Sequence, residues 1–370
     1  MQFHLPKILF DFGAITRLGQ ELAWLGVKRP MLASDKGLKA AGAIDHVVKS
    51  NPGVDFFVYA EVPENPTADG VDAAAAAYRE NRCDGFVALG GGSVIDTVKA
   101  AAACVVSGKP VAEFMGHPER INFVLAPIVT VPTTAGSGSE VSTGSGIHPT
   151  ATTPAKGTAS LMSIPRVAIC DPDLTMTLPP RLTAATGIDA LSHCIEGFLA
   201  KTHSPFIDGF VRDGMKRAFT HVERAYRDGS DREARANMLM AAVAGGAGIH
   251  KGLGPVHSFA GVFGDRGLHH GTLVAIAMPP ALRLAEERVP EKMRDVADAL
   301  GLEPRTRVSD AVASLNARLD LPKTLSSYGY GEISDFAAAV DATWQNRFNL
   351  TSPYAPTRAE IVRFVKEAVG

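Results

Sequence analysis

One aspartate and several histidines have the types and spacing of metal ligands. Asp189 and His193 are four residues apart, so on a helix their side chains would share one face, roughly 5–6 Å apart at Cβ. Together with His257 and one of the pair His269 and His270, they would form a set of three imidazoles and one carboxylate. That set suits Fe²⁺ or Zn²⁺ with one position left open for substrate. The alternative is an ordinary surface Asp–His pair, with the other histidines satisfied in the core.

Two loops rich in glycine and hydroxyl groups have the composition of phosphate-binding loops. The first, Gly90–Ser93, follows an apolar run and precedes a helical pattern, so backbone N–H groups and the helix dipole would favour an anion there. The second is PTTAGSGSE at 132–140. One such loop can be an ordinary turn, but two at successive strand ends of one sheet predict a crevice for a phosphorylated ligand.

Asp35 follows the second apolar run of the chain. A carboxylate at this position would accept hydrogen bonds from a ribose diol and repel a 2′-phosphate, which favours NAD over NADP. The alternative is that Asp35 caps a helix, and the two roles are compatible.

The first half of the chain alternates short apolar runs with helical patterns. This alternation predicts βαβ units and a parallel sheet. The predicted strands are 7–10, 30–33, 54–59, 85–89, 128–131 and 167–170, and the predicted helices are 15–25, 37–49, 68–79 and 93–106.

After Pro179 the sequence has helical patterns and almost no strand-like runs. The predicted helices are 182–198, 206–226, 231–247, 271–287, 290–300, 307–319, 333–342 and 358–368. We therefore predict an α/β plus all-α protein: a Rossmann-like, dinucleotide-binding domain over 1–179 and an all-helical, metal- and substrate-binding domain over 180–370.

Composition excludes several classes of protein. The 370 residues carry 37 Lys and Arg against 39 Asp and Glu, which gives no electrostatic footprint for nucleic acid or an anionic membrane. Four dispersed cysteines predict neither a disulfide framework nor a cysteine-based zinc site. No apolar run approaches the ~18–20 residues of a membrane span. We expect a cytoplasmic protein that acts on a small molecule.

Four stretches resemble the iron-containing (group III) alcohol dehydrogenases, a family that includes lactaldehyde reductase and 1,3-propanediol dehydrogenase. They are GGGSVID at 90–96, PTTAGSGSE at 132–140, GIDALSHCIEG at 187–197 and VH…HHG at 256–271. The resemblance extends over nearly the whole chain. It implies a dehydroquinate synthase-like architecture, NAD, Fe²⁺ with Zn²⁺ as the alternative, and a homodimer or higher homo-oligomer.

The resemblance also implies individual site residues. The implied metal ligands are Asp189, His193, His257 and His270, because His270-Gly271 preserves the family's His-Gly at the fourth ligand. The implied cofactor contacts are Asp35, Gly91, Gly92, Ser93, Asp96, Thr133, Thr134, Ser142 and Lys156.

The chain departs from the family near the expected substrate pocket. Gly261 stands where the family often has a second histidine proposed to relay a proton, so we expect the proton to leave through water, the ribose hydroxyls, His250 or His269. The small residues of 245–252 are expected to widen the pocket. His250 and Lys251, grouped with His257 and His270 as catalytic candidates, lie beside it.

Lys251, His250 and Arg266 suggest a substrate with an anionic group, since a cation near the pocket is the physical requirement. The alternative is that Lys251 is solvated and Arg266 pairs locally.

We therefore predict hydride transfer between NAD(H) and a small primary alcohol or aldehyde. The alternatives are another enzyme of the same fold (a maleylacetate reductase, a glycerol dehydrogenase or a lyase-type relative) and a non-catalytic dinucleotide-binding protein. The complete ligand set counts against a maleylacetate reductase and against the non-catalytic alternative.

Overall fold

The chain divides into two compact units, an α/β unit and a helical unit. The computed structural model describes residues 4–264, 268–330, 333 and 335–370. The α/β unit contains residues up to Thr134 together with Ser139–Thr177, and the helical unit contains Leu178–Gly370. The short segment Ala135–Gly138 belongs to the helical unit, although it lies within the second glycine-rich loop.

The α/β unit is built on a six-stranded parallel sheet. Its strands in chain order, with a small antiparallel pair β6–β7 inserted, are β1 (Lys7–Phe10), β2 (Pro30–Ala33), β3 (Phe57–Tyr59), β4 (Gly85–Gly90), β5 (Ile128–Pro132), β6 (Gly146–Ile147), β7 (Lys156–Gly157) and β8 (Val167–Cys170). The sheet order is β1-β8-β5-β4-β2-β3. After β2 the chain continues to β3 on one side of this strand pair, and after β4 it continues to β5 on the other side. In α/β sheets, ligands bind at the carboxyl ends of the two strands where the direction changes in this way.

Both faces of this sheet are buried, which explains the continuous apolar runs of its strands. In β4, Phe86 and Ala88 pack into one hydrophobic cluster, while Val87 and Leu89 pack into another. Successive strand residues point to opposite faces, so a strand covered on both sides must be apolar throughout. The covering helices are α1 (Leu18–Trp24), α2 (Lys36–Ala40), α3 (Ala43–Ser50), α4 (Ala68–Glu80) and α5 (Gly92–Ser107).

The second unit is helical throughout its described residues, and the predicted fold class is confirmed. Its helices are α6 (Pro180–Leu199), α7 (Pro205–Arg227), α8 (Arg232–Ile249), α9 (Pro255–Phe263), α10 (His270–Arg288), α11 (Pro290–Leu300), α12 (Val308–Arg318), α13 (Phe336–Trp344) and α14 (Arg358–Val369). Three of them, α6, α7 and α8, form the core of the unit. No helix among the described residues is long and apolar enough to cross a membrane.

One predicted helix is divided in the structure, and one helix of the structure was not predicted. The single helix predicted over 37–49 is two helices, because Gly42 adopts a left-handed conformation at φ 76° and breaks the helical path. The helix α9 was not predicted at all. Its sequence, PVHSFAGVF, is largely apolar and buried along most of its length, so it lacks the periodic polar face that marks a surface helix.

Candidate metal centre and cofactor-binding loops

The four predicted metal ligands meet around a single carboxylate oxygen. Asp189 and His193 lie on α6, His257 lies on α9 and His270 begins α10. The Nε2 atoms of His257, His270 and His193 lie 3.5, 3.7 and 3.8 Å from Oδ1 of Asp189. Ligand atoms of Asp189, His257 and His270 all lie within 4.8 Å of one another. The helical unit alone therefore brings all four side chains together.

Two of these ligand atoms are buried without a hydrogen-bond partner. They are Oδ1 of Asp189 and Nε2 of His257. A buried carboxylate oxygen with no partner is costly, and a cation bound between these atoms would satisfy both. The donor set of three imidazole nitrogens and one carboxylate oxygen fits Fe²⁺ or Zn²⁺.

The charges of the site favour an ionised carboxylate. Burial alone would raise the pKa of Asp189, but the neighbouring His193, His270 and His257 side chains outweigh burial and hold that pKa well below its ordinary value. Burial alone would lower the pKa of His257, but the carboxylates of Asp189 and Glu196 outweigh burial and raise that pKa to about 9. Asp189 therefore offers a negative charge to a cation at neutral pH.

Second hydrogen bonds orient two of the imidazole rings. Nδ1 of His257 donates to Oε2 of Glu196 at 2.6 Å, and Oε1 of the same carboxylate accepts from the backbone N–H of Val256 at 2.9 Å. Nδ1 of His193 donates to the carbonyl of Gly136 at 3.2 Å. Since these partners can only accept, each Nδ1 carries a proton and each Nε2 faces the centre, where a bound cation would take the place of any proton on Nε2.

Glu196 is a site residue to which the sequence analysis gave no role. It follows Asp189 and His193 on α6 at positions i, i+4 and i+7, which share one helix face. That spacing is the signal that could have identified it. Its partner could not have been found in this way, because His257 lies on a different helix.

Solvent reaches the candidate metal centre at one ligand. The side chain of His270 is 52% exposed, whereas those of Asp189, His193 and His257 are 6, 5 and 4% exposed. A substrate oxygen would therefore approach from the His270 side.

The small residues of α8 pack helices together, contrary to the expectation that they widen a pocket. A Cβ at Gly245 would lie 2.8 Å from Cβ of His193 and 3.1 Å from the carbonyl oxygen of Ala190, and one at Gly248 would lie 3.0 Å from the carbonyl oxygen of His193. These glycines let α8 approach the ligand-bearing helix α6 at close range.

The predicted cationic residues differ in their surroundings. Lys251 is buried and donates to the carboxylate of Asp208 and to the carbonyl of Phe198, contacts that support a structural role. His250 caps the C-terminus of α8, and Arg266 lies outside the described residues.

Three of the predicted cofactor segments follow adjacent strands of the sheet. Asp35 comes after β2, the 91–93 turn after β4, and Thr133 after β5. Because the strands are parallel, these segments lie at one edge of the sheet. Asp35 also caps α2, with Oδ1 accepting from the N–H of Leu38 at 2.8 Å, so the capping alternative is correct and leaves Oδ2 for a ligand.

The turn between β4 and α5 leaves a helix N-terminus uncapped. Gly91 is the N-cap residue and makes no side-chain hydrogen bond to the helix, Gly92 begins the helix, and Ser93 follows. A Cβ at Gly90 would lie 2.5 Å from Cγ2 of Val94. The free N–H groups and the dipole of α5 therefore suit a phosphate group.

Asp96 and Lys99 on α5 hold the second glycine-rich loop. The two oxygens of Asp96 accept from Oγ of Ser139 at 2.6 Å and from the N–H of Gly146 at 2.8 Å. The fully buried Lys99 donates to Ser139 Oγ at 2.9 Å, to the Ser142 carbonyl at 2.8 Å and to the Gly144 carbonyl at 3.0 Å. Lys99 was not singled out from the sequence.

The other predicted cofactor residues lie in different surroundings. The backbone N–H of Thr133 donates to the Gly90 carbonyl. The side chain of Thr134 packs against Gly91 so closely that a Cβ at Gly91 would lie 3.1 Å from Cγ2 of Thr134. Ser142 is buried, whereas Lys156 is exposed on β7.

Two family models match almost the whole chain. The model described as iron-containing alcohol dehydrogenase matches residues 6–172, and the C-terminal model of the Fe-containing alcohol dehydrogenase family matches residues 183–369. The chain is 39% identical to a 4-hydroxybutyrate dehydrogenase of Cupriavidus necator, with 99% of each chain covered.

Solved structures give the same result. The chain is similar to 1,3-propanediol oxidoreductase, with a TM-score of 0.93, 27% identity and 99% of each chain covered. It is also similar to a sulfoacetaldehyde reductase from Bifidobacterium kashiwanohense in complex with NAD⁺, with a TM-score of 0.89, 25% identity, and 100% of this chain and 98% of that one covered.

Proposed function

Because the chain belongs to the iron-containing alcohol dehydrogenase family, we propose that it reduces short aldehydes bearing an anionic group, with NADH and a divalent metal ion. The family resemblance found in the sequence is confirmed, and the protein is an NAD-dependent alcohol dehydrogenase. The proposal concerns its substrate class, its metal and the roles of its residues.

Two relatives support an anionic substrate. One is named for 4-hydroxybutyrate and the other for sulfoacetaldehyde, and both compounds carry an acidic group that is ionised at neutral pH. The corresponding reaction here is the reduction of 4-oxobutyrate, or of an oxo acid of similar length, to the hydroxy acid. NADH supplies the hydride to the carbonyl carbon, and a proton is added to the carbonyl oxygen.

The convergence of three histidine side chains on Oδ1 of Asp189 is the observation that carries the proposal of metal dependence. A bound Fe²⁺ or Zn²⁺ supplies Lewis-acid polarisation of the aldehyde oxygen. We propose Fe²⁺ on the basis of the family, with Zn²⁺ as the alternative because N/O sites bind it more tightly.

The chain's own residues prepare the site for this chemistry. Asp189 offsets part of the cation's charge, and Glu196 fixes the tautomer of His257 so that Nε2 faces the centre. At the sheet edge, the N-terminus of α5 is suited to the cofactor pyrophosphate and Asp35 to a ribose diol.

Metal reconstitution tests this proposal. Protein purified without oxygen is analysed for metals, stripped with a chelator and reloaded with Fe²⁺ or Zn²⁺. NADH oxidation with 4-oxobutyrate is then measured. We expect Fe²⁺ to restore activity in the wild type and in a Glu233→Gln control, but not in Asp189→Asn. Recovery with Zn²⁺ alone would assign zinc, and full activity of the stripped protein would contradict metal dependence.

Dimer formation and a cytoplasmic location stay predictions.

A further inference from the structure

We propose that Arg347, assisted by the side-chain amide of Asn346, binds the anionic group of the substrate. This inference rests on the proposed reduction of anionic aldehydes and names the residues that would select them. It replaces the cationic group expected from Lys251, whose charge is already neutralised by Asp208.

The segment that carries these residues is fixed beside a metal ligand. The hydroxyl of Thr351 donates to the Leu253 carbonyl at 2.8 Å, which ties the segment 346–351 to the residues just before α9. The ring of Phe348 meets the ring of His257 edge to face, with centroids 6.2 Å apart. Arg347 therefore lies near the candidate metal centre in space, although it is distant from His257 in sequence.

The charge of Arg347 has no partner within the described part of the chain. Its guanidinium carbon lies 5.0 Å from the centroid of the Phe348 ring, and Arg347 makes no ion pair or hydrogen bond with a described residue. Arg347 is exposed on one side, its partial burial lowers its pKa, and no acidic group acts in the opposite direction. Several other arginines of the helical unit are paired, for example Arg288 with Glu360 at 2.6 Å. An unpaired guanidinium stacked on an aromatic ring is well suited to a carboxylate or sulfonate.

The amide of Asn346 adds a hydrogen-bond donor near α9. Its Oδ1 accepts from the backbone N–H of Phe348 at 3.1 Å, so its NH₂ group points elsewhere. A Cβ at Gly261 would lie 3.7 Å from Asn346 Nδ2 and within 4 Å of no other described residue outside its own helix. Gly261 is one helical turn after His257 on α9, so the absence of a side chain there leaves room between the ligand and the amide.

The dimensions fit a short oxo acid. The distance from the Arg347 guanidinium carbon and the distance from the His257 ring are both measured to the centroid of the Phe348 ring. Their sum is therefore the largest possible separation between the guanidinium carbon and the His257 ring centroid. The terminal oxygens of an extended four-carbon oxo acid are roughly 6 Å apart, since atoms three bonds apart in an extended chain are separated by about 3.8 Å. In the proposed binding mode, the aldehyde oxygen lies at the metal position and the carboxylate extends toward Arg347.

The test compares two aldehydes of equal overall length, counting one carboxylate oxygen as a chain atom, in metal-loaded protein. 4-Oxobutyrate carries a carboxylate, whereas pentanal is uncharged. We expect Arg347→Leu to lower the ratio of kcat/KM for 4-oxobutyrate to that for pentanal by about 10- to 100-fold, the usual effect of losing a hydrogen bond to a charged group. Arg347→Lys should recover part of the ratio. Arg294→Leu, which removes an exposed charge on α11, should leave the ratio unchanged.

A binding measurement separates recognition from catalysis. Calorimetry of 4-hydroxybutyrate with the NADH-bound, metal-loaded protein should show a similar loss of affinity in Arg347→Leu. An unchanged ratio in Arg347→Leu, or an equal loss for both aldehydes, would overturn the role of Arg347 while leaving the proposed function intact. A wild type without preference for 4-oxobutyrate would overturn the proposed function itself.

Discussion

Glu196→Gln tests whether a carboxylate outside the ligand set controls metal binding. In the wild type, Oε2 accepts the Nδ1 proton of His257 at 2.6 Å while Oε1 accepts the N–H of Val256. Glutamine has a single acceptor oxygen, so one of these donors loses its partner, and the negative charge is lost as well.

The expected magnitude follows from that bond. A hydrogen bond to a charged group contributes about 1.5–3 kcal/mol, and outer carboxylates of this kind typically change metal affinity about 10- to 100-fold. We therefore expect Glu196→Gln to raise the dissociation constant for Zn²⁺ by about that factor while the fold is retained.

The assay is competition with a chromophoric chelator, with circular dichroism as the check on folding. The matched control is Glu233→Gln, an exposed glutamate whose ion pair with Arg224 lies at the surface, where such pairs contribute ~0–1 kcal/mol. A dissociation constant for Glu196→Gln within twofold of the wild type would refute the positioning role of Glu196.

Three further predictions concern buried charges and helix packing. Lys99→Met should lower the unfolding free energy by about 3 kcal/mol and weaken NADH binding, because it leaves the Ser139 hydroxyl and two carbonyls without their donor and the buried Asp96 without a neighbouring positive charge; denaturant titration and NADH fluorescence measure both, and unchanged values would contradict it. Burial raises the pKa of Glu140 to about 7, so the folded state binds a proton that the unfolded state releases, and wild-type stability should fall by about 2 kcal/mol between pH 5 and 7. Glu140→Gln should remove that fall, and an equal fall in both proteins would contradict the assignment. Gly245→Ala, whose Cβ would meet His193, should destabilise by about 1–3 kcal/mol, whereas Gly209→Ala, in open space on α7, should stabilise by about 0.5–1 kcal/mol; equal effects would count against the packing argument.

The sheet and most helices could be predicted from periodicity. The strand 167–170 and the helix 290–300 have the predicted bounds, since buried parallel strands and amphipathic helices leave clear patterns in sequence. The helix α9 could not be predicted in this way, because a helix buried on most sides has no polar face. It was nevertheless the element that carries His257.

The site was predictable only in part. Spacing within one helix indicated Asp189 and His193, and resemblance to a family indicated His257 and His270. The bond from His257 to Glu196 and the position of Arg347 beside Phe348 depend on how separate segments pack. No spacing rule relates such residues along the chain.

The ratio of kcat/KM for 4-oxobutyrate to that for pentanal, measured with NADH on metal-loaded wild-type protein, tests the central claim most directly. We predict a ratio of at least about 10, equivalent to one hydrogen bond to a charged group. A ratio of one or below would contradict the assignment of this enzyme to anionic aldehydes.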